Sequence, residues 1–516
     1  METLKQNKIV NSLFWIYLIG MVTFSIYSLF MQSIRLDEAQ SLWIATKPIE
    51  SIFKFTAEDV HVPLYAIILH LWLQVVGATI SAARVISAGF LLLTIPVLYR
   101  LSKEASNSTV AKVTVGLFAL SPFVMWYSTE ARMYTMFALA ASLSNLFYLR
   151  LLRSEGEEGK LGYFLSTLFG LYTHYFFNFL LATQGLFVLF RFLREGYRNY
   201  QRDRATKGKT NGTIWQYIWR IKALPLRIFP LMIIAFGLFA PWLWYFIHLG
   251  GGSNTSPLIP APTSYNIFQT LILFIFGFQS QVLQGVLVSL WPVLIILLFL
   301  VFTQKRRAHS QFVEYFVLAT FLPLMVIFVL SFIRPIFLAR YMIFVIPTLF
   351  YLIALIFLNY SRRISTIICA LILLMMGGLL IYQNVSASTE VKENYQGVAS
   401  YISQQTTPED IVAVTAPFTI YPIEYQYQGR ARIDTIPEWD RFNQGSIPAF
   451  DENKLGTQID EYKKQYSKLY VIFSYDQGYE QKIKMYLDTH LERLDQKTFS
   501  SKLELRVYKL RYDIKS

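Results

Sequence analysis

The chain has one cysteine in 516 residues, and only 16% of its residues are charged. A single thiol excludes a disulfide framework and a thiolate metal site, and Cys369 falls inside an apolar run. So few charges exclude an ordinary soluble protein, in which about 25% is usual. Acids are the scarcer sign, with 33 Asp and Glu against 47 Lys and Arg and a formal net charge of +14. In place of these the chain has apolar length: 54% of its residues are hydrophobic and its mean hydropathy is +0.39. The apolar runs recur at about the ~20 residues that cross a bilayer as a helix. The basic excess lies in short loops between them, as in Lys305-Arg306-Arg307, Arg362-Arg363 and the stretch 191–227 with Arg191, Arg194 and Arg198. Short basic loops are a cytoplasmic retention signal, so the charge reads as topology and no nucleic acid is expected as a partner.

Runs that could span lie near 13–31, 84–100, 113–129, 133–150, 162–175, 177–192, 228–247, 284–302, 313–332, 341–358 and 364–382. Two others, 63–77 and 266–280, are shorter or interrupted. Eleven spans put every basic loop on the side of the N-terminus, with the two remaining segments resting as helices along the outer face. Lys5 and Lys8 before the first run resemble a signal peptide, but no small-x-small cleavage pattern follows, so an uncleaved first span is expected. The expected fold class is therefore mostly α: a polytopic membrane helical bundle of about eleven spans plus interfacial helices over residues 1–382. Its first outer loop is 32–83. Region 248–283, with Gly250-Gly251-Gly252 and no Asp, Glu, Lys or Arg, reads as a lid or a lipid-contacting surface.

The tail, 383–516, carries 17 Lys and Arg against 19 Asp and Glu. It reads as a small α/β domain outside the membrane, with helices at 394–405, 455–466 and 477–489. Strands are expected at Ile411–Val414, Tyr470–Phe473 and Leu503–Tyr508. It shows no glycine-rich phosphate loop, metal-ligand cluster or nucleophile motif.

Candidate chemistry gathers at the outer ends of spans. The first loop begins Arg35-Leu36-Asp37-Glu38 and later carries His61-Val62-Pro63-Leu64-Tyr65. Residues 121–134 place Glu130 and Arg132 where an apolar hairpin would otherwise continue, and charges at such depth persist where they pair or face a polar cavity. His174 stands among aromatic residues, a setting more common for a packed histidine than for a ligand. Ile333-Arg334-Pro335 leads to Arg340-Tyr341 in another outer turn. The 33 Tyr and 42 Phe carry no sugar-stacking argument, because aromatic residues crowd membrane interfaces in any case.

The order of Asp37-Glu38, His61-x-Pro63-Leu64-Tyr65, Arg84, Ser121-Pro122 with Tyr127 to Tyr134, and Arg340-Tyr341 with Pro347 resembles the bacterial protein-mannosyltransferase-like glycosyltransferases. These belong to the GT-C superfamily, and the resemblance covers about residues 10–350. Glu130-Ala131-Arg132-Met133-Tyr134 is its most specific part, while Val62 stands where the family pattern often has a second proline. The resemblance implies a sugar donor on a polyprenyl phosphate, a site at the outer face of the plasma (inner) membrane, and an essential carboxylate from the first outer loop. By position that carboxylate is Asp37, with Glu38 beside it; the roles open to Glu130 are to orient the acceptor, to act as a second base or to hold Arg132. Glycosyl transfer needs a base for the acceptor hydroxyl, and arginine forks suit a lipid phosphate. Arg132, Arg334 and Arg340, with Tyr341, are the phosphate-binding candidates, and His61, Tyr65 and His174 the substrate-binding ones. The acceptor is left open among protein, lipid and glycan; membrane lipids are expected partners. No protein metal cage is visible, no cofactor is assigned, and a divalent cation is left open. The competing readings are a transporter or flippase for lipid-linked sugars, and a scaffold presenting the tail.

Overall fold

The structure is a computed structural model that describes residues 2–28, 32–59, 61–153, 159–207, 213–214, 216–217, 223–249, 260–289, 292, 312–385, 393–442 and 447–511. Helix α1, Glu2–Tyr27, opens the chain, and three short helices follow: α2, Leu36–Ala45; α3, Ile49–Glu58; and α4, Leu64–Val76. Helix α5, Ile80–Ala105, starts where the Thr79 side chain accepts the Ala82 N–H at 3.2 Å, the ordinary threonine N-cap. It packs on α6, Ser108–Leu120, and on α8, Tyr134–Arg153. Buried Ala83, Ser87 and Ala88 on α5, with Ala138, Ala141 and Ser142 on α8, keep side-chain bulk low, which lets neighbouring helix backbones approach in a bilayer. Helix α8 is buried along most of its length and forms the centre of the bundle.

The expected eleven spans are not all reproduced as straight helices. Among the described residues seven helices are long and apolar enough to cross a membrane, or up to nine if each of two bent pairs counts as one span. The run 113–129 divides into α6 and α7, Pro122–Ser128, with a bend of 61°. Pro122 lacks an N–H, and Ser121 caps the second piece while donating to the Phe274 carbonyl at 2.6 Å. The segment 266–280 does not simply lie along a surface. It forms Ser264–Phe276, then turns at Gly277 (φ +68°) into Gln281–Ser289, the axes standing 108° apart. Its residues Ile272 to Phe276 are buried. The run 162–175 yields only the 12-residue α9, Lys160–Leu171, short of a bilayer thickness. Most of 284–302 and the glycines of 250–252 lie outside the described residues.

Further along, α10 (Phe177–Lys207) is followed by long helices at Ala223–His248, Val313–Leu330 and Arg362–Val385. A 3-10 turn at Ala339–Val345 leads into the helix Ile346–Phe357. Buried polar groups inside the bundle largely bond one another: Gln184 accepts from the Tyr163 hydroxyl at 2.8 Å and donates to Ser144 at 3.1 Å, and Tyr315 donates to Asn145. This cluster ties α8, α9 and α10 together.

The tail is α/β, as its sequence implies. Strands β1 (Ile411–Val414), β2 (Arg432–Thr435), β3 (Lys468–Ser474), β4 (Glu492–Ser500) and β5 (Leu503–Lys509) form one sheet in the order β2-β1-β3-β5-β4. Strand β1 pairs parallel with β2 and β3, with Val412 opposite Ile433 and Tyr470, while β5 runs antiparallel to β3 and β4. Helices Tyr395–Gln405, Glu452–Gln465 and Glu480–His490 cover the sheet through two apolar clusters. One of these clusters includes Ile34 and Ala39 of the first loop, so the sheet domain and the bundle share packing.

Candidate active site

Helix α2 starts at Leu36 after an extended Arg35, whose N–H donates to Glu38 Oε2 at 2.9 Å. Successive helical residues point about 100° apart. Asp37 therefore faces a cavity of about 1520 Å³, whereas Glu38 faces the bundle interior and is fully buried.

Glu38 is bonded entirely inside the protein. Arg84 donates to it through Nε at 2.8 Å and Nη2 at 2.7 Å, and the Ala131 N–H donates at 2.9 Å. Arg84 also donates to the carbonyls of Gln32 and Ser33. Burial pushes the Glu38 carboxyl up, but Arg84, helped by Arg35, holds it below its ordinary value. The pair thus ties the first loop to α5 and to the turn at 130–133. Of the expected catalytic acids, Glu38 is the one that does not line the cavity. Tyr65, expected to bind substrate, is buried, bonded to Ser87 at 3.1 Å, and does not line the cavity. Ser87 in turn donates to the Arg132 carbonyl, which makes Tyr65 a support for the site's backbone.

The other expected residues do converge. Asp37, His61, Glu130, Arg132 and His174 all line the one cavity, as do Arg334, Arg340 and Tyr341. Arg340 Nη1 donates to Asp37 Oδ2 at 2.9 Å, both side chains being half-buried. Burial raises the Asp37 carboxyl, yet Arg340, Arg132 and Arg35 together hold it below its ordinary value. Arg132 donates to the Ser41 hydroxyl at 3.1 Å and meets His61 Nε2 at 2.6 Å. Burial and Arg132 depress the His61 pKa, so the ring is neutral and Nε2 accepts from the guanidinium. The Nε atoms of Arg132 and Arg340 are buried without a hydrogen-bond partner. Buried arginine donors are costly to leave unmet, and two of them belong to side chains that line one cavity.

Glu130 accepts from Arg35 Nη1 at 3.0 Å, and the Arg35 guanidinium lies 3.6 Å over the Trp126 ring. Burial pushes the Glu130 carboxyl up to about 7 against the pull of Arg35. His174 is held both ways: it stacks on Phe137 at 4.7 Å and lines the cavity. Its Nδ1 accepts the Phe176 N–H at 3.1 Å, which places the proton of the neutral ring on Nε2. Burial, then Arg132 and Arg340, lower its pKa to about 3. The turn carrying it depends on Gly170, where a Cβ would come within 2.2 Å of the Phe177 ring.

Several lining residues escaped sequence reasoning. Asp59 stands 3.5 Å from His61, and burial lifts its carboxyl to about 6, opposed by Arg132 and aided by Asp37. Its position two residues before His61 was the available signal. Arg35 opens the motif already singled out, yet its pairing with Glu130 spans 95 residues and leaves no local trace. The tail supplies Glu393, Tyr421, Trp439, Arg441 and Tyr475 to the same cavity. Glu393 accepts the Tyr475 hydroxyl, and burial raises its carboxyl. Among the described residues, no group of three or more His, Cys, Asp or Glu is arranged to hold a metal ion.

Residues 60–199 match the family model described as dolichyl-phosphate-mannose-protein mannosyltransferase. The chain superposes on the crystal structure of ArnT from Cupriavidus metallidurans in the apo state, with a TM-score of 0.59 at 12% identity over 98% of each chain. The chain has the fold of ArnT. The crystal structure of ArnT from the same organism bound to undecaprenyl phosphate gives a TM-score of 0.55 at 13% identity, over 96% of this chain and 98% of that one. The likeness in fold thus includes the tail as well as the helical bundle. No curated protein matches the chain in sequence.

Proposed function

We propose that the protein transfers a sugar from a polyprenyl-phosphate carrier to an acceptor hydroxyl at the outer membrane face, with Asp37 as the general base. The observation that carries this reading is a cavity-facing carboxylate, Asp37, paired with the half-buried Arg340 in a cavity that the buried Arg132 also lines, each arginine keeping a buried Nε without a hydrogen-bond partner. A donor phosphate is a bidentate acceptor that would meet those donors, and undecaprenyl phosphate is the lipid bound in one of the ArnT structures.

The chemistry then follows from the charges. Before the donor arrives, Arg340 neutralises Asp37 and makes it a weak base. A phosphate that draws Arg340 away releases the carboxylate in a partly dry cavity, where its proton affinity rises. The acceptor oxygen attacks the anomeric carbon, the bond from that carbon to the phosphate oxygen breaks, and the electron pair leaves on the phosphate. Asp37 takes the hydroxyl proton. A single displacement inverts the anomeric centre. Arg132 and Arg340 hold the charge that builds on the leaving phosphate, the kind of preorganised stabilisation that dominates many enzymatic barriers.

The test is sugar transfer in reconstituted vesicles. Asp37→Asn should lose about 10²-fold or more in rate, the scale of general-base catalysis, while retaining undecaprenyl phosphate binding. Undiminished transfer in that variant would remove Asp37 as the base.

A further inference from the structure

The tail end of the cavity holds a second group of side chains that the transfer step does not use. Tyr421 and Trp439 of the tail stand edge to face at 6.3 Å, and Tyr421 packs at 5.1 Å against Trp43 of α2. The guanidinium of Arg441 lies 5.2 Å from both the Tyr421 and Trp43 rings. All four residues line the cavity.

Arg441 decides what this group can bind. Its Nη2 donates to both carboxylate oxygens of Glu424 at 2.7 Å, so its charge is already compensated. Its Nη1 is buried with no hydrogen-bond partner, although the side chain is only 10% exposed. What remains is a directed N–H donor of little net charge, set among aromatic rings. A phosphate is already assigned to Arg132 and Arg340 by the transfer reading. A neutral oxygen on a ring with an apolar face fits the tail end better. Pyranose rings have that form: axial C–H bonds pack on aromatic faces while equatorial hydroxyls accept and donate hydrogen bonds. The acids Glu58 and Asp476, also on the cavity wall, supply acceptors for the remaining hydroxyls.

We infer that Tyr421, Trp439 and Arg441 form a carbohydrate subsite that holds a neutral sugar ring of the acceptor. This rests on the transfer reading and narrows its acceptor to a glycan or a glycan-bearing molecule. Saturation-transfer NMR on the full chain in nanodiscs tests it with neutral tetrasaccharides of glucose, mannose, galactose or N-acetylglucosamine, and with a serine-rich peptide as a separate arm. At least one tetrasaccharide should receive saturation on its ring protons above that from empty nanodiscs. Trp439→Ala should weaken this binding about tenfold or more, the usual loss for a central Trp anchor, and Trp439→Phe should restore most of it. Arg441→Met should weaken it in the same direction, and all three variants should bind undecaprenyl phosphate like the parent protein. Saccharide binding that is absent, or equal in Trp439→Ala and the parent, overturns the subsite. So does saturation of the peptide alone. Undecaprenyl phosphate binding in the same samples separates this failure from failure of the donor reading.

Discussion

Replacing Glu38 by Gln should destabilise the protein far more than replacing its neighbour Asp37 by Asn. Glu38 and Arg84 are at most 1% exposed, so water does not screen their attraction. The carboxylate accepts four N–H groups, two from Arg84 and one each from the Arg35 and Ala131 backbones. A glutamine keeps one acceptor oxygen and turns the other position into a donor facing donors, while Arg84 is left as an uncompensated buried charge. Removing one partner of such a pair costs about 3–5 kcal/mol. The Asp37–Arg340 pair is 23% and 34% exposed, and a screened pair of that kind contributes only about 0–1 kcal/mol. Cys369 provides the assay, since it is the sole thiol and is buried. Heating in the presence of a thiol-reactive fluorogenic dye at one fixed ramp rate reports unfolding directly. At roughly 2–4 °C per kcal/mol, Glu38→Gln should lower the midpoint by roughly 6 °C or more, and Asp37→Asn by less than roughly 4 °C. The double change Glu38→Leu with Arg84→Met should recover much of the loss, because an apolar pair of similar volume leaves no orphan charge. Equal midpoints for the two single variants, or a double variant that melts below Glu38→Gln, would refute this account.

Other outcomes follow from the same geometry. Arg132→Gln and Arg340→Gln should each weaken undecaprenyl phosphate binding by about tenfold or more, on the scale of a lost charge-assisted hydrogen bond, as measured by lipid-binding mass spectrometry. Asp59 has a folded pKa of about 6 against an ordinary 3.8, so its favourable contribution is complete below about 4 and lost as pH rises through about 6. Asp59→Asn should therefore match the parent protein in melting at pH 4 and exceed it at pH 8, provided both are compared by the same dye-independent light-scattering ramp. With Cys369→Ser as background, Gln74→Cys should react with an impermeant thiol probe from outside and Ala205→Cys only after permeabilisation. The reverse pattern would invert the proposed orientation of the cavity.

The apolar runs made the helical bundle legible because a bilayer demands long unbroken hydrophobic segments. They overstated its regularity because breaks are set by single residues: Pro122 with Ser121 bends one run, and Gly277 turns another. In the tail, β1, β3 and β5 announce themselves as buried or alternating strands. Strand β4 does not, since Glu492 to Thr498 lie exposed on an edge and carry no apolar period. Convergence of Asp37, Glu130, Arg132 and Arg340 was readable as charge placed at the ends of apolar runs. The different placement of Asp37 and Glu38 was not, because two adjacent acids differ only in helical phase and the phase is fixed by where α2 begins. The contributions of Trp439 and Arg441 were hidden for a different reason: nothing local relates residues near 440 to a loop near 40.

The cavity has walls from two bodies, and that arrangement separates two kinds of change. Asp37, Arg132 and Arg340 are all mounted on the helical bundle, whereas Tyr421, Trp439 and Arg441 ride on the sheet domain. Remodelling the loops above the sheet can widen, narrow or repaint one side of the chamber without replacing any residue of the charged centre. On the proposed transfer reading, a lineage of such proteins can exchange one recipient molecule for another by editing its last quarter, while the residues assigned to the donor linkage stay as they were.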